Sequence, residues 1–377
     1  MAIYITIATI LFIGVFARQN QSKIIYYTGL LCLFIITAFR DPSLGGWDAI
    51  IYQRFYQAVP MLSELTNHSQ PYAIGYTFLN SLIKSMGCNY IGFQIIYSLI
   101  SLILLELVIR ALELSDNQKC LFLFSYFCYR FIWNTWVTYR QNIANLIFWL
   151  FLTLLYKEIQ NWQEKKEIKG ETKTTTYSSK IRITYLMVLT VLCPSLFHSS
   201  GLVNIIVLPI ILLLPKISNR KKTIWVPIIS LALYFFGTPL YSYLITLLNR
   251  FVDSRYSMYG IAVTASSNTI NYFFRLAFFL ILSIRSESAS HRFNQLFFDL
   301  MTVMVIVGSI NAELVTRMYE FYALGLYASM SLFLDNFTIN SRKMAGVLFY
   351  IAMLIILVRF VLITDNGLYN HYFFASF

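Results

Sequence analysis

Between Phe39 and Gln57 the chain reads FRDPSLGGWDAIIYQRFYQ, so Arg40, Asp41, Asp48 and Arg54 follow directly on an apolar run and are interleaved with aromatics. Four more stretches share this character. WNTWVTYRQN places Arg140 between Tyr139 and Gln141, and FHSSG surrounds His198. RFVDSRY carries Arg250, Arg255 and Tyr256, and NAELVTRMYE sets Glu313 and Arg317 four residues apart. Arginine offers a planar guanidinium that grips phosphate through two hydrogen bonds at once. A cluster of arginines can stabilise charge developing on a diphosphate leaving group without a metal. A carboxylate or histidine beside an acceptor hydroxyl can take its proton, and Tyr and Trp faces suit sugars. The chemistry that would use such a set is transfer at a phosphate-linked sugar.

Each group also has a plainer reading. Asp41-Pro42 and Gly45-Gly46 are turn chemistry, and Asp48 is placed to cap a helix starting at Ala49. Glu313 and Arg317 have the spacing of an ordinary helical ion pair. His198, embedded between two hydrophobic runs, is either an ionisable group with a function or a histidine hydrogen-bonded to Ser199 or a backbone carbonyl. Arg130, Arg275 and Arg359 either snorkel to a membrane interface or work there. His68, His291 and His371 lie in polar segments, where the plainer reading holds. Cys32, Cys88, Cys120, Cys128 and Cys193 are scattered, mostly inside apolar runs, and read as small buried hydrophobes. No Cys/His metal spacing, P-loop, G-x-G-x-x-G after a strand or G-x-S-x-G is present, so neither a metal nor a cofactor is expected.

The elements that must position these groups follow from composition. Of 377 residues, 58% are hydrophobic and 12% charged, against about 25% charged in a soluble domain. Mean hydropathy is +0.63. Apolar runs recur at 3–17, 24–39, 90–109, 119–133, 142–156, 183–197, 201–215, 223–247, 270–284, 296–310, 321–335 and 345–363. They imply an all-α polytopic membrane protein of about twelve transmembrane helices. MAIYITIATILFIGVFA lacks a basic start and a small-residue cleavage site, and reads as a retained first span. Segment 71–86 is short and carries Lys84, and reads as a helix lying at the interface or re-entering.

Charge then orients the chain. With the N-terminus out and 71–86 not crossing, segments 18–23, 110–118, 157–182, 216–222, 285–295 and 336–344 face in. They hold most of the 29 Lys and Arg, as the positive-inside rule requires. The net charge of +12 therefore does not point to nucleic acid. Apart from Lys84 and Lys119, every basic residue left outside those segments is an arginine. The organisation is one integral membrane domain over 1–377, with an outer segment at 40–89 and a basic cytoplasmic loop at 157–182.

The motifs FRDPSLGGWDAIIYQRFY, IGYTFLNSLI, YRQNIANLI, FHSSGLVNIIVLP, RYSMYG and RMYEFYALG occur in this order. Taken together they resemble the Wzy-type polysaccharide polymerases, in particular the EpsG-like branch, over most of the chain. The resemblance implies a GT-C-like glycosyltransferase of the bacterial inner membrane. It would join undecaprenyl-diphosphate-linked repeat units on the periplasmic face into O-antigen or exopolysaccharide, with inversion. Its partners would be the lipid-linked glycan donor and acceptor, membrane lipid and a chain-length regulator. The matching positions are Arg40, Asp48, Arg140, His198, Arg255 and Arg317. In this scheme Arg140, Arg255 and Arg317 bind the diphosphates, Arg40 and Arg54 assist, and Arg250, Glu313, Tyr139 and Tyr256 complete the substrate set. His198 or Asp48 takes the acceptor proton, with His198 favoured because its pKa lies nearer working pH. A long outer loop common among relatives is not obvious, and 40–89 stands in its place. An O-antigen ligase shares this chemistry. A flippase fits less well, because only 223–247, with Gly237-Thr238-Pro239, looks like a broken helix.

Overall fold

The computed structural model describes residues 1–67, 72–169, 173–237, 239, 243, 266–283, 291–310 and 318–375. Among them the only backbone bridge outside helices joins Arg40 and Phe374 antiparallel, and the rest of the regular structure is helical. Two compact units are present, one formed by Met1–Leu202 with Ile339–Phe377 and the other by Val203–Thr338.

The first unit contains α1 (Ala2–Phe16), α2 (Gln19–Ala38), α3 (Gly46–Ala58), α4 (Ile74–Ser85), α5 (Tyr90–Ala111), α6 (Asp116–Tyr126), α7 (Tyr139–Lys169) and α8 (Lys173–Ser195). The second unit holds α9 (Asn204–Leu213), α10 (Asn219–Ala232), α11 (Ser266–Ser283), α12 (Asn294–Val307) and α13 (Leu324–Phe333), after which α14 (Ile339–Ile363) returns to the first. Five segments are long and apolar enough to cross a bilayer: Gln19–Ala38, Tyr90–Ala111, Tyr139–Lys165, Ser199–Lys216 and Asn340–Asn370. Ile24, Leu31 and Ile35 form an exposed apolar stripe on α2, the outward-facing arrangement that lipid favours and water does not. The chain is an all-α membrane protein. Helix continues through much of 157–182, up to Lys169 and again from Lys173.

Helix α4 has twelve residues, about 18 Å at 1.5 Å per residue, well short of a hydrocarbon core of about 30 Å. Its exposed side is apolar (Ile74, Phe78) while Tyr76, Asn80 and Ser81 are buried. Lys84 lies over the C-terminal end of α3 and donates from Nζ to the carbonyls of Gln57 (2.7 Å) and Val59 (2.6 Å). It satisfies acceptors that a helix end leaves orphaned and complements the negative end of the dipole.

In the second unit, α12 is the buried element. A Cβ on Gly325 would lie 2.5 Å from the Phe297 carbonyl oxygen, so α13 packs backbone against backbone on α12. Lys222, at the end of the in-facing segment 216–222 of the sequence reading, is buried in an ion pair with Asp299. Gln295 donates to both Asp299 oxygens at 3.1 Å, and Asn219 accepts from Lys222 at 3.3 Å. The pair is thus enclosed in a hydrogen-bonded set that ties α10 to α12.

Candidate active site

The site grows from the turn that leads out of α2. Asp41 accepts from the Ser43 backbone N–H (2.9 Å) and hydroxyl (2.6 Å) and so caps the short turn Pro42–Gly45. The two glycines after it are required by space. A Cβ on Gly45 would sit 2.6 Å from the Trp136 carbonyl oxygen, and Gly46 has φ +65° with its Cβ position 2.6 Å from an Asp365 carboxylate oxygen. Helix α3 therefore starts at Gly46, not at Ala49. Asp48 is not its cap but lies in its first turn, where the positive end of the helix dipole favours a carboxylate.

One helical turn beyond Asp48 stands Tyr52. Its ring stacks on Tyr139, with centroids 4.9 Å apart and planes within 7°. Its hydroxyl is hydrogen-bonded to Arg140, and the Arg140 guanidinium lies over the ring of Tyr72, 4.0 Å from the centroid. Burial pushes the Tyr52 hydroxyl up from 10.0 to about 12, with Arg140 pulling it down and Asp48 pushing it up. The Tyr72 hydroxyl is likewise raised, by burial first, with Arg140 pulling it down and Asp48 pushing it up. Asp48 and Arg140 are thus close enough to act on one pair of tyrosines. Arg140 is half-buried, and its Nε makes no hydrogen bond. Together they form a cation on an aromatic platform beside a carboxylate.

Arg40 is different. It is fully buried, and Nη2 donates to the Trp136 carbonyl (3.3 Å) and to the Tyr139 hydroxyl while Nη1 donates to the Asp41 carbonyl (3.4 Å). The guanidinium also lies 5.4 Å from the Trp136 ring and 5.6 Å from the Tyr139 ring. No carboxylate among the described residues pairs with it. The Trp136 carbonyl is offered by a π-helical turn, Trp133–Val137, a wide turn of the kind found at functional sites. Tyr139 is itself fully buried, stacked on Tyr97 (4.3 Å) as well as on Tyr52. Arg40 and Tyr139 hold the platform in place and do not face outward.

His198 sits in the turn after α8, buried, with Nδ1 2.6 Å from the Ser200 hydroxyl and accepting from the Ser200 backbone N–H at 3.3 Å. The polar neighbour is Ser200, not the Ser199 anticipated from the sequence. Because a backbone N–H can only donate, Nδ1 is the acceptor and the neutral ring carries its proton on Nε2. The turn is anchored to α4 by the Gly75 N–H bond to the Leu196 carbonyl (2.6 Å), and Phe197 packs against the cluster containing Tyr52 and Tyr139.

Arg54 is exposed on α3 and makes no hydrogen bond or ion pair among the described residues. Arg250, Arg255, Tyr256, Glu313 and Arg317 lie outside those residues. Arg275 does not snorkel. It is buried in the second unit, donating from Nη2 to the Gly308 carbonyl (2.8 Å) under the Tyr319 ring at 4.3 Å. Sequence reasoning passed over Tyr52, Tyr72 and Asp365. The first had a signal, four residues after Asp48 on one helix face. The other two had none, because Asp365 reaches the site only through the fold.

No curated protein and no solved structure matches the chain. A family model does, over residues 23–163 and 176–374, and so spans both units, every described residue of the site and all six motifs of the resemblance. The family is one of membrane proteins linked to polysaccharide synthesis and includes Wzy-type polymerases. By that match, the chain belongs to the EpsG family.

Proposed function

We propose that this protein is a glycosyltransferase of the bacterial inner membrane that polymerises undecaprenyl-diphosphate-linked repeat units into O-antigen or exopolysaccharide. In this reading about twelve helices cross the bilayer and the site faces the periplasm. The observation that carries the proposal is Arg140, held over Tyr72, bonded to Tyr52 and neighboured by Asp48.

The acceptor hydroxyl attacks the anomeric carbon of the donor's linking sugar, the bond from that carbon to the diphosphate oxygen breaks, and configuration inverts. The diphosphate leaves with the electron pair, and its growing charge meets Arg140, with Arg255 and Arg317 as further diphosphate ligands. Arg250, Glu313 and Tyr256 complete the substrate set, and Arg54 assists from the surface of α3. The acceptor proton goes to a base. Nδ1 of His198 already accepts from Ser200 and the ring proton sits on Nε2, so the ring has no spare lone pair for the acceptor proton, and the base role moves to Asp48. Arg40 and Tyr139 are positioning residues. Donor and acceptor are both lipid-linked, and a chain-length regulator would act from outside the chain.

The surface glycans of a strain lacking this gene provide the test. A polymerase leaves lipid core capped by a single repeat. Absence of all glycan would instead identify a flippase, and polymer left on its lipid carrier a ligase. Either outcome overturns the proposal.

A further inference from the structure

Helix α3 has a second functional face. Asp48 and Tyr52, four residues apart, look toward the Arg140 platform. Ile50, Gln53 and Gln57, spaced i, i+3, i+7, line a separate cleft of about 470 Å³ with Asp41, Pro42 and Asn89. That volume falls within the about 300–1,000 Å³ typical of small-ligand pockets. No lysine, arginine or histidine lines it. The carboxamides of Gln53 and Gln57 make no hydrogen bond among the described residues, so two donor and acceptor pairs point into the cleft unspent. Asp41 uses one carboxylate oxygen on Ser43 and keeps the other. Pro42 and Ile50 add an apolar floor.

This is the opposite of a phosphate site. Paired donors and acceptors without cations match vicinal hydroxyls, and small apolar faces match the C–H side of a pyranose ring. We infer that this cleft binds the neutral part of the glycan chain, apart from the diphosphate, and keeps the growing polymer attached between additions. The inference rests on the polymerase reading in naming a growing chain, while the glycan site itself does not.

The probe is a set of oligosaccharide fragments of the strain's own surface polymer, freed of lipid and phosphate, titrated against the full-length protein in nanodiscs. Wild type should bind them, and Gln53→Ala/Gln57→Ala should bind about tenfold more weakly, through the loss of two or more hydrogen bonds. Arg140→Ala should bind them like wild type, and inorganic pyrophosphate should not displace them. In polymerisation, the double variant should make shorter chains while its first addition stays within about twofold of wild type. If the double variant does not fold, Gln57→Ala carries the test, since its side chain is exposed and unbonded, with an expected loss of about threefold. Unchanged fragment binding in a folded variant, no binding to wild type, or displacement by pyrophosphate each overturns the inference. Full polymerisation by Arg140→Ala alongside lost fragment binding in the glutamine variant would instead refute the polymerase site and leave the glycan cleft standing.

Discussion

Arg140→Ala separates chemistry from folding because its two expected costs differ in size. The guanidinium lies 4.0 Å from the Tyr72 centroid, and a half-buried cation–π contact is worth about 1 kcal/mol. Its hydrogen bond to the Tyr52 hydroxyl adds about 1–2 kcal/mol. Native proteins hold about 5–15 kcal/mol in reserve, so Arg140→Ala should remain almost wholly folded. Loss of a donor aimed at charge that develops in the transition state costs far more, about 10²–10³ in kcat, or about 2.7–4 kcal/mol. Arg140→Lys keeps the charge but loses the planar stack and the bidentate grip, and should fall between, about tenfold down. The assay is the initial rate of joining two lipid-linked repeat units by purified protein, with kcat and KM resolved. A fall in kcat is required. A rise in KM alone would mean that Arg140 binds substrate and transition state equally. An Arg140→Ala enzyme within about threefold of wild type on both constants would remove Arg140 from the mechanism.

Lys222→Met should strand Asp299 in the interior of the second unit and cost about 3–5 kcal/mol, whereas Lys222→Met/Asp299→Leu should recover most of it. Thermal unfolding in detergent reads both, and a single variant as stable as wild type would contradict the pairing. Gly46→Ala should destabilise by about 1–3 kcal/mol from its backbone conformation alone, φ +65° and ψ −151°, with further loss from contact with Asp365. Adding Asp365→Ala should restore only the second part, and complete restoration would mean that the backbone imposes nothing. For Tyr52 the folded state holds the proton more tightly than the unfolded chain, since burial raises its pKa from 10.0 to about 12. Its contribution is therefore intact below pH 10.0 and is lost as pH climbs toward about 12. Tyr52→Phe should make the alkaline fall in melting temperature shallower, and an identical alkaline profile would show that Tyr52 does not report the site's burial.

Much of the helical scaffold was legible because an apolar helix announces itself by length and hydropathy, both local. Each apolar run coincides with a described helix, although 223–247 is described without a break only to Gly237. Local signals failed wherever the deciding contact was remote. The start of α3 was misplaced by three residues because it is set by Gly46 meeting Asp365, at the other end of the chain. Lys222 counted only as one more charge of an in-facing segment because nothing near it in sequence announces Asp299. Lys84 did signal an oddity, as the isolated lysine of the outer segment, and the oddity was structural: it closes the end of α3.

The arginines show where charge counting stops. The sequence marks Arg40, Arg140 and Arg275 as cations beside apolar runs, Arg40 next to Asp41 and the other two without an adjacent acid. A guanidinium can satisfy its donors with carbonyls and aromatic rings, however, so the lack of an acid is not a vacancy for an anion. Arg40 and Arg275 are of that kind, buried on backbone oxygens and ring faces. Arg140 has the ring and a hydroxyl but stays half-exposed, whereas an unbonded Nε is common to all three. Access to an oriented guanidinium, rather than a spare donor, distinguishes a binding arginine from a structural one. By that criterion Arg140 is the described arginine on which the proposed diphosphate site rests, with Arg40 behind it holding Tyr139, Tyr139 holding Tyr52, and Tyr52 holding the guanidinium in place.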